Sequence, residues 1–212
     1  MSGYVAWLGR DDASGRLPPA AKPSAPGRTG HLGWRLVVQA SPSAPTVVIR
    51  EATDADWPQI WPFFSAIVAA GETYAYPEDL TPEAGRLLWM DGWHVVVATD
   101  GPTVLGTAKM GPNRPGRGSH VANASFMVDP AHQGRGVGRA LGRYALEWAR
   151  QAGYHAMQFN AVVETNTGAV HLWRSLGFEI IGTVPEAFNH PVHGLVGLHV
   201  MYQRLAPPAG DR

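Results

Sequence analysis

The chain has 212 residues and no cysteine, so disulfides, thiolate metal sites and a cysteine nucleophile are excluded. Seventeen Lys/Arg balance seventeen Asp/Glu, and a neutral chain has no general attraction to nucleic acid or to an anionic membrane. No apolar run approaches the ~20 residues of a membrane span, and the N-terminus lacks the basic start and apolar stretch of a signal peptide, so a cytoplasmic protein is expected.

Residues 1–45 are rich in Gly, Pro, Ala and Ser, as in Leu17-Pro18-Pro19-Ala20, and carry five Lys/Arg against two Asp/Glu. Such a stretch buries too little apolar surface to offset its ordering entropy. It reads as a disordered N-terminal extension with a short ordered patch at 34–38, ahead of one domain over 46–204 and a C-terminal tail, 205–212. The domain opens with a strand at 46–51. Capping residues Thr53 to Asp56 precede a helix with Ile60, Phe63, Phe64 and Ile67 on one face, its start restricted by Pro58 and Pro62. A turn region at 71–77 holds Glu72, Tyr74 and Tyr76, and Thr81-Pro82-Glu83 starts a second helix running to residue 90. Strand-like runs follow at 93–99, 103–110 and 120–128, the first two joined by the hairpin signal Asp100-Gly101. Val137, Ala140, Leu141, Tyr144, Ala145 and Trp148 then repeat at helical spacing over 136–150. A strand at 156–162, a helix at 166–175 ended by Gly177, and strands at 178–184 and 196–203 complete the order β-α-α-β-β-β-α-β-α-β-β. That is an α/β (α+β) domain, a mixed sheet with helices on both faces.

The chemistry concentrates where the strand ending at Val128 gives way to the 136–150 helix, through Asp129-Pro130-Ala131-His132-Gln133-Gly134-Arg135-Gly136-Val137-Gly138-Arg139. Unpaired N–H groups at a helix N-terminus favour negative charge, and glycines let a phosphate approach them without a Cβ in the way. Gln133, Gly134, Arg135, Gly136, Val137, Gly138 and Arg139 therefore form a candidate pyrophosphate cradle, with Arg135 and Arg139 adding mobile positive charge. Seven of the twelve Lys/Arg in 46–212 lie between Lys109 and Arg150, in keeping with a local anionic ligand. A P-loop needs Lys then Ser or Thr after the glycines, and Arg139-Ala140 stands there instead. A dinucleotide fold wants its glycines in the first βαβ unit, whereas here they follow four strands.

The spacing Gln133-x-x-Gly136-x-Gly138 resembles the acetyl-CoA signature of the GNAT superfamily, and Asn166-x-x-Ala169-x-x-Leu172-Trp173-x-x-x-Gly177-Phe178 resembles its later motif. The resemblance covers about residues 46–204. It implies a GNAT fold whose sheet is splayed between its fourth and fifth strands, with acetyl-CoA as acetyl donor in the opening. It further implies that a neutral amine attacks the thioester, with backbone groups near Met127 and Val128 orienting the acetyl group and Asn166 and Trp173 flanking the cofactor arm. Many members carry a Tyr acid where this chain has Trp173, whose indole can donate a hydrogen bond but is no acid at neutral pH. The runs 119–126, 158–160 and 164–166 resemble a subgroup that includes a yeast enzyme detoxifying the proline analogue azetidine-2-carboxylate. That resemblance implies a role for Asn123 in holding the acceptor and its amine, with Asn160 and Asn166 around acceptor and cofactor and Phe126 beside them.

Tyr74 is expected as an aromatic wall of the acceptor pocket; Glu72 reads either as a base or as a solvated turn residue. His190-Pro191-Val192-His193 has two histidines without a neighbouring carboxylate or thiolate, so no metal is expected. The expected function is N-acetylation of a small-molecule amine, with detoxification a plausible role and a homodimer in keeping with the superfamily. Protein or peptide acetylation and a non-catalytic CoA-binding regulatory module remain as alternatives.

Overall fold

The computed structural model describes residues 36–37 and 47–205. Leu36–Val37 (β1) pairs with Val48–Glu51 (β2); the remainder of the expected disordered extension, and the tail after Leu205, lie outside the described residues. After a single 3-10 turn at Asp54–Asp56, helix α1 spans Trp57–Ala69 and α2 spans Pro82–Met90. Strands β3 (His94–Asp100), β4 (Thr103–Pro112) and β5 (Val121–Val128) form an antiparallel run. Then come α3 (Val137–Gln151), β6 (Ala156–Val163), α4 (Thr167–Ser175), β7 (Glu179–His190) and β8 (Gly194–Arg204). The sheet order is β1-β2-β3-β4-β5-β6-β8-β7.

β5 and β6, the fourth and fifth strands counted from Thr46, are parallel and meet only through Val121↔Ala156 and Ala122↔Met157. Both are eight residues long, so beyond Ala122 they diverge, and their facing backbone groups have no strand partner. This is the expected splay. One core, with Leu141, Met157, Phe159, Trp173 and Phe178, lies on the α3/α4 side of the sheet. A second, with Ile60, Phe64, Trp89 and Met127, lies under α1 and α2.

Two elements depart from expectation. Pro62 sits inside α1 rather than bounding its start; the ring removes one hydrogen bond, but Ile60, Phe63 and Phe64 around it are buried and hold the helix on the sheet. β7 runs on to His190 instead of ending at Val184, with an irregularity between Val184 and Phe188 where Glu186 takes φ 52°. Pro185 signals a break in sequence, yet β7 is the last strand of the sheet, where a missing N–H leaves no neighbour unpaired. The His190 to His193 segment is the tip of this hairpin: His190 Nδ1 accepts from the N–H groups of Val192 (3.1 Å) and His193 (3.3 Å). Among the described residues no cluster of metal-binding side chains occurs, and no helix is long and apolar enough to cross a membrane.

Candidate active site

The splay opens into a cavity of about 520 Å³, lined by the end of α1, the Glu72 to Tyr76 turn, β5 from Asn123 to Val128, β6 from Phe159 to Val163, and Asn166 and Trp173 of the α4 region. Its chemistry follows from the pleat of β5. Asp129 N–H donates to Leu105 O at 3.0 Å and Asn113 N–H to Val121 O at 2.7 Å, so alternation turns the backbone groups of residues 123, 125 and 127 toward β4 and those of 124, 126 and 128 toward the gap. Of the two residues expected to present backbone groups to the acetyl group, Val128 turns its backbone toward the gap. Met127 does not, because its backbone is committed to the β4 ladder. Side chains alternate too: Phe126 and Val128 pack with α3 and α4, Met127 with α1 and α2.

At the entrance, Gly134 and Gly136 have φ 77° and 78°, and open space surrounds the position of a Cβ on either. Gly136 caps α3, and the first intrahelical bond is Ala140 N–H to Gly136 O at 3.0 Å. The N–H groups of Val137, Gly138 and Arg139 thus lack helical acceptors, which fits a pyrophosphate; Val137's side chain is buried. Gln133 lines the cavity here. Gly138 also serves packing, since a Cβ there would lie 3.2 Å from Leu172 Cδ2, and the residue lets α4 pack closely on α3. Gly142 does the same more stringently, 2.6 Å from Leu176 Cδ1 and 3.0 Å from Trp173 Cζ3. Arg135 is not a mobile cation: its guanidinium bonds Asp100 at 2.7 Å and His132 Nδ1 at 3.1 Å. Arg139 has no ion-pair partner among the described residues and is the free cation at this helix end.

Deeper in, Trp173 is buried with its ring 4.7 Å from Phe126 and 4.9 Å from Phe159, an aromatic plug on the α4 side. Asn166 caps α4, its Oδ1 accepting from Ala169 N–H at 3.1 Å, and the residue lines the cavity. Tyr74 bonds β5 directly: its hydroxyl donates to Phe126 O at 2.7 Å and accepts from Phe126 N–H at 3.1 Å. Burial pushes this phenol's pKa well above its ordinary value, with the neighbouring Tyr76 adding to the effect. Glu72 is exposed at the rim.

Asn123 and Asn160 line the far end of the cavity, and Asn160 is tied into a cluster of amides whose other members, Asn113 and Gln158, do not line it. Asn160 donates to Asn113 Oδ1 at 2.6 Å and accepts from Gln158 at 2.7 Å, and Arg114 donates to Asn113 O at 2.9 Å. Asn123, 5% exposed, has no side-chain hydrogen bond among the described residues and lines the cavity. Asn113 escapes sequence reasoning because it lies in a Gly/Pro-rich loop, and only the β4–β5 register brings it beside Asn160.

Lys109, also missed, is buried on β4 opposite Ser125, with Nζ donating to Leu88 O at 2.8 Å and 5.1, 5.2 and 5.7 Å from the ring centres of Trp89, Trp93 and Tyr76. Burial lowers its pKa from 10.5 to about 8. With the folded pKa depressed below the unfolded one, the folded chain binds fewer protons between those two values, so Lys109 contributes increasingly to stability as pH rises through that window. The melting temperature of wild type relative to Lys109→Met is expected to climb from pH 8 to 10.5; a constant difference would contradict this.

The model of the Acetyltransferase (GNAT) family matches residues 57–178. The chain belongs to that family. A GCN5-related N-acetyltransferase from Kribbella flavida is 61% identical with a TM-score of 0.73, over 75% of this chain and 98% of that one. The L-methionine sulfoximine/L-methionine sulfone acetyltransferase of Pseudomonas aeruginosa is 36% identical over 149 residues, 65% of this chain and 83% of that protein. The N-acetyltransferase aca1 of Schizosaccharomyces pombe is 38% identical over 110 residues, 51% of this chain, and the match spans only 52% of the yeast protein's length. Acetyl-CoA is the acetyl donor of GNAT acetyltransferases, and the open glycine turn, the free N–H groups and Arg139 suit its phosphates.

Proposed function

We propose that this GNAT domain transfers the acetyl group of acetyl-CoA to the amine of a small amino-acid-like acceptor. The observation that carries the reading is Asn123: a buried amide facing the cavity without a hydrogen-bond partner among the described residues. Its amide atoms are open to the cavity rather than sealed off, so they are available to a ligand. An amide can donate to a carboxylate and accept from an amine at once, so it suits an amino or imino acid. The Pseudomonas relative, named for amino-acid analogues, supports the same class.

In this reading the turn at Gly134 to Val137 and Arg139 hold the phosphates, and the gap-facing backbone of Val128 and the NH2 of Asn166 hold the arm. Bound there, acetyl-CoA supplies the activated acetyl group. Asn123 and Asn160 orient the amine, Trp173 and Phe126 exclude water from the α4 side, and Glu72 at the rim takes the amine's proton to solvent. The finer assignment to azetidine-type imino acids is favoured by the amides of Asn123 and Asn160, which can grip a carboxylate while leaving a compact ring against Tyr74.

A thiol-release assay with acetyl-CoA and L-methionine sulfoximine, azetidine-2-carboxylate, an amino sugar and a polyamine tests this. Turnover confined to the first two supports it. Turnover of the amino sugar or polyamine alone rejects the acceptor class, and cofactor binding without any turnover favours a regulatory CoA-binding module. Arg139→Ala is expected to raise KM for acetyl-CoA about 3- to 10-fold, the loss of one charge-assisted contact, whereas Arg135→Ala leaves it nearly unchanged; equal effects would place both guanidinia at the phosphates.

A further inference from the structure

Asn160 stands where β6 loses its regular pairing. Phe159 faces Met201 and Val162 faces His199, so Asn160 and Ala161 share the single position of Val200 on β8. A bulge of this kind bends its strand and re-aims the side chains it carries, and both of its residues line the cavity. The ladder to β8 no longer dictates how the Asn160 amide stands there; neighbouring polar side chains do so instead. Gln158 Nε2 donates to Asn160 Oδ1 at 2.7 Å, and Asn160 Nδ2 donates to Asn113 Oδ1 at 2.6 Å. Asn113 is held in turn by its backbone N–H on Val121 O at 2.7 Å and by Arg114, whose guanidinium donates to Asn113 O at 2.9 Å and reaches Asn113 Oδ1 at 3.5 Å.

A guanidinium can only donate, so the end of the Asn113 amide turned to Arg114 is its oxygen. That fixes the polarity of the whole chain: Asn160 meets Asn113 with its NH2 and Gln158 with its oxygen. Reversed, the Asn113 NH2 would point its hydrogens at the cation. Of the two Asn160 amide hydrogens, one is committed to Asn113 and the other has no partner among the described residues. We propose that Asn113 is a positioning residue for acceptor specificity: oriented by Arg114, it holds the free N–H of Asn160 as a donor to the carboxylate of an amino-acid acceptor. The inference rests on the acetyl-transfer reading above. Neither Asn113 nor Arg114 lines the cavity; both act through Asn160, whose amide is oriented by the fold before the acceptor arrives. Selectivity for an acid over its neutral carboxamide follows, since a hydrogen bond to an ionised acceptor is the stronger one.

The test compares Asn113→Leu, which keeps the size of the side chain and removes its acceptor oxygen, with Asn113→Asp, which can only accept and so keeps the polarity. Both leave the backbone bond to Val121 in place. Binding of L-methionine sulfoximine and of its carboxamide to the CoA-saturated protein is measured by calorimetry, beside steady-state kinetics. Wild type is expected to prefer the acid by about 10-fold or more, and Asn113→Leu to lose about 10-fold of that preference, as on loss of one hydrogen bond to a charged group. Acceptor KM should rise in step, with kcat and KM for acetyl-CoA nearly unchanged, whereas Asn113→Asp retains the preference. A preference unchanged in Asn113→Leu, or lost equally in Asn113→Asp, would reduce Asn113 to a brace of the β4–β5 loop and overturn the proposal, as would a wild type that shows no preference or binds neither probe. If wild type acetylates no amine, the acetyl-transfer reading fails on that result alone, whereas the binding preference still decides the role of Asn113.

Discussion

Asn123→Ala is expected to lower kcat/KM for the acceptor about 10- to 150-fold, since a hydrogen bond to a charged group contributes ~1.5–3 kcal/mol, and to leave KM for acetyl-CoA unchanged. The separation follows from position. Asn123 lies at the end of β5 where the strands first part, remote from the glycine turn, and its side chain makes no bond that the fold would miss. Stability should accordingly hold, because no side-chain hydrogen bond of the described fold is lost. Steady-state kinetics with both substrates varied, alongside thermal melts, checks this. Equal changes in both KM values, or a large drop in melting temperature, would mean that the residue is structural.

Trp173→Ala is expected to have the largest effect on stability, ~3–5 kcal/mol. The indole is 7% exposed and touches the rings of Phe126, Phe159 and Phe178, themselves part of the larger core. It also spans the region where β5 and β6 no longer share hydrogen bonds, so the two halves of the sheet depend on this cluster to stay in register. Urea unfolding should show the loss in full. Saturating acetyl-CoA should recover part of it, because a ligand that binds only the folded state adds to stability by mass action. A loss below about 1 kcal/mol would mean that the site relaxes around the missing ring.

Much of this was legible in the sequence because the signals are local. The glycine-bounded helix start before Val137, the Asp100-Gly101 hairpin and the end of α4 before Gly177 are each decided by neighbours a few residues away. The parallel contact of β5 with β6, and hence the cavity, followed from the order of elements and the family resemblance. What stayed hidden depends on register and on distant partners. Arg135 looks like Arg139 in sequence; only the fold brings Asp100 to one and not the other. Met127 and Val128 are adjacent, and which of them faces the gap is set by the pairing with β4. Gly142 reads as an ordinary helical residue until Leu176 and Trp173 are packed over it.

The alternation of side chains along β5 has an evolutionary corollary. Odd-numbered positions 123, 125 and 127 look toward α1 and α2, and even-numbered 126 and 128 toward α3 and α4. On the proposed reading, a single segment would carry two separately inheritable codes, one for the amine and one for the side that packs on α3 and α4, interleaved at alternate codons. Point substitutions at Asn123 or Ser125 would then explore new amines while the other face is preserved, whereas an inserted or deleted residue would scramble both at once.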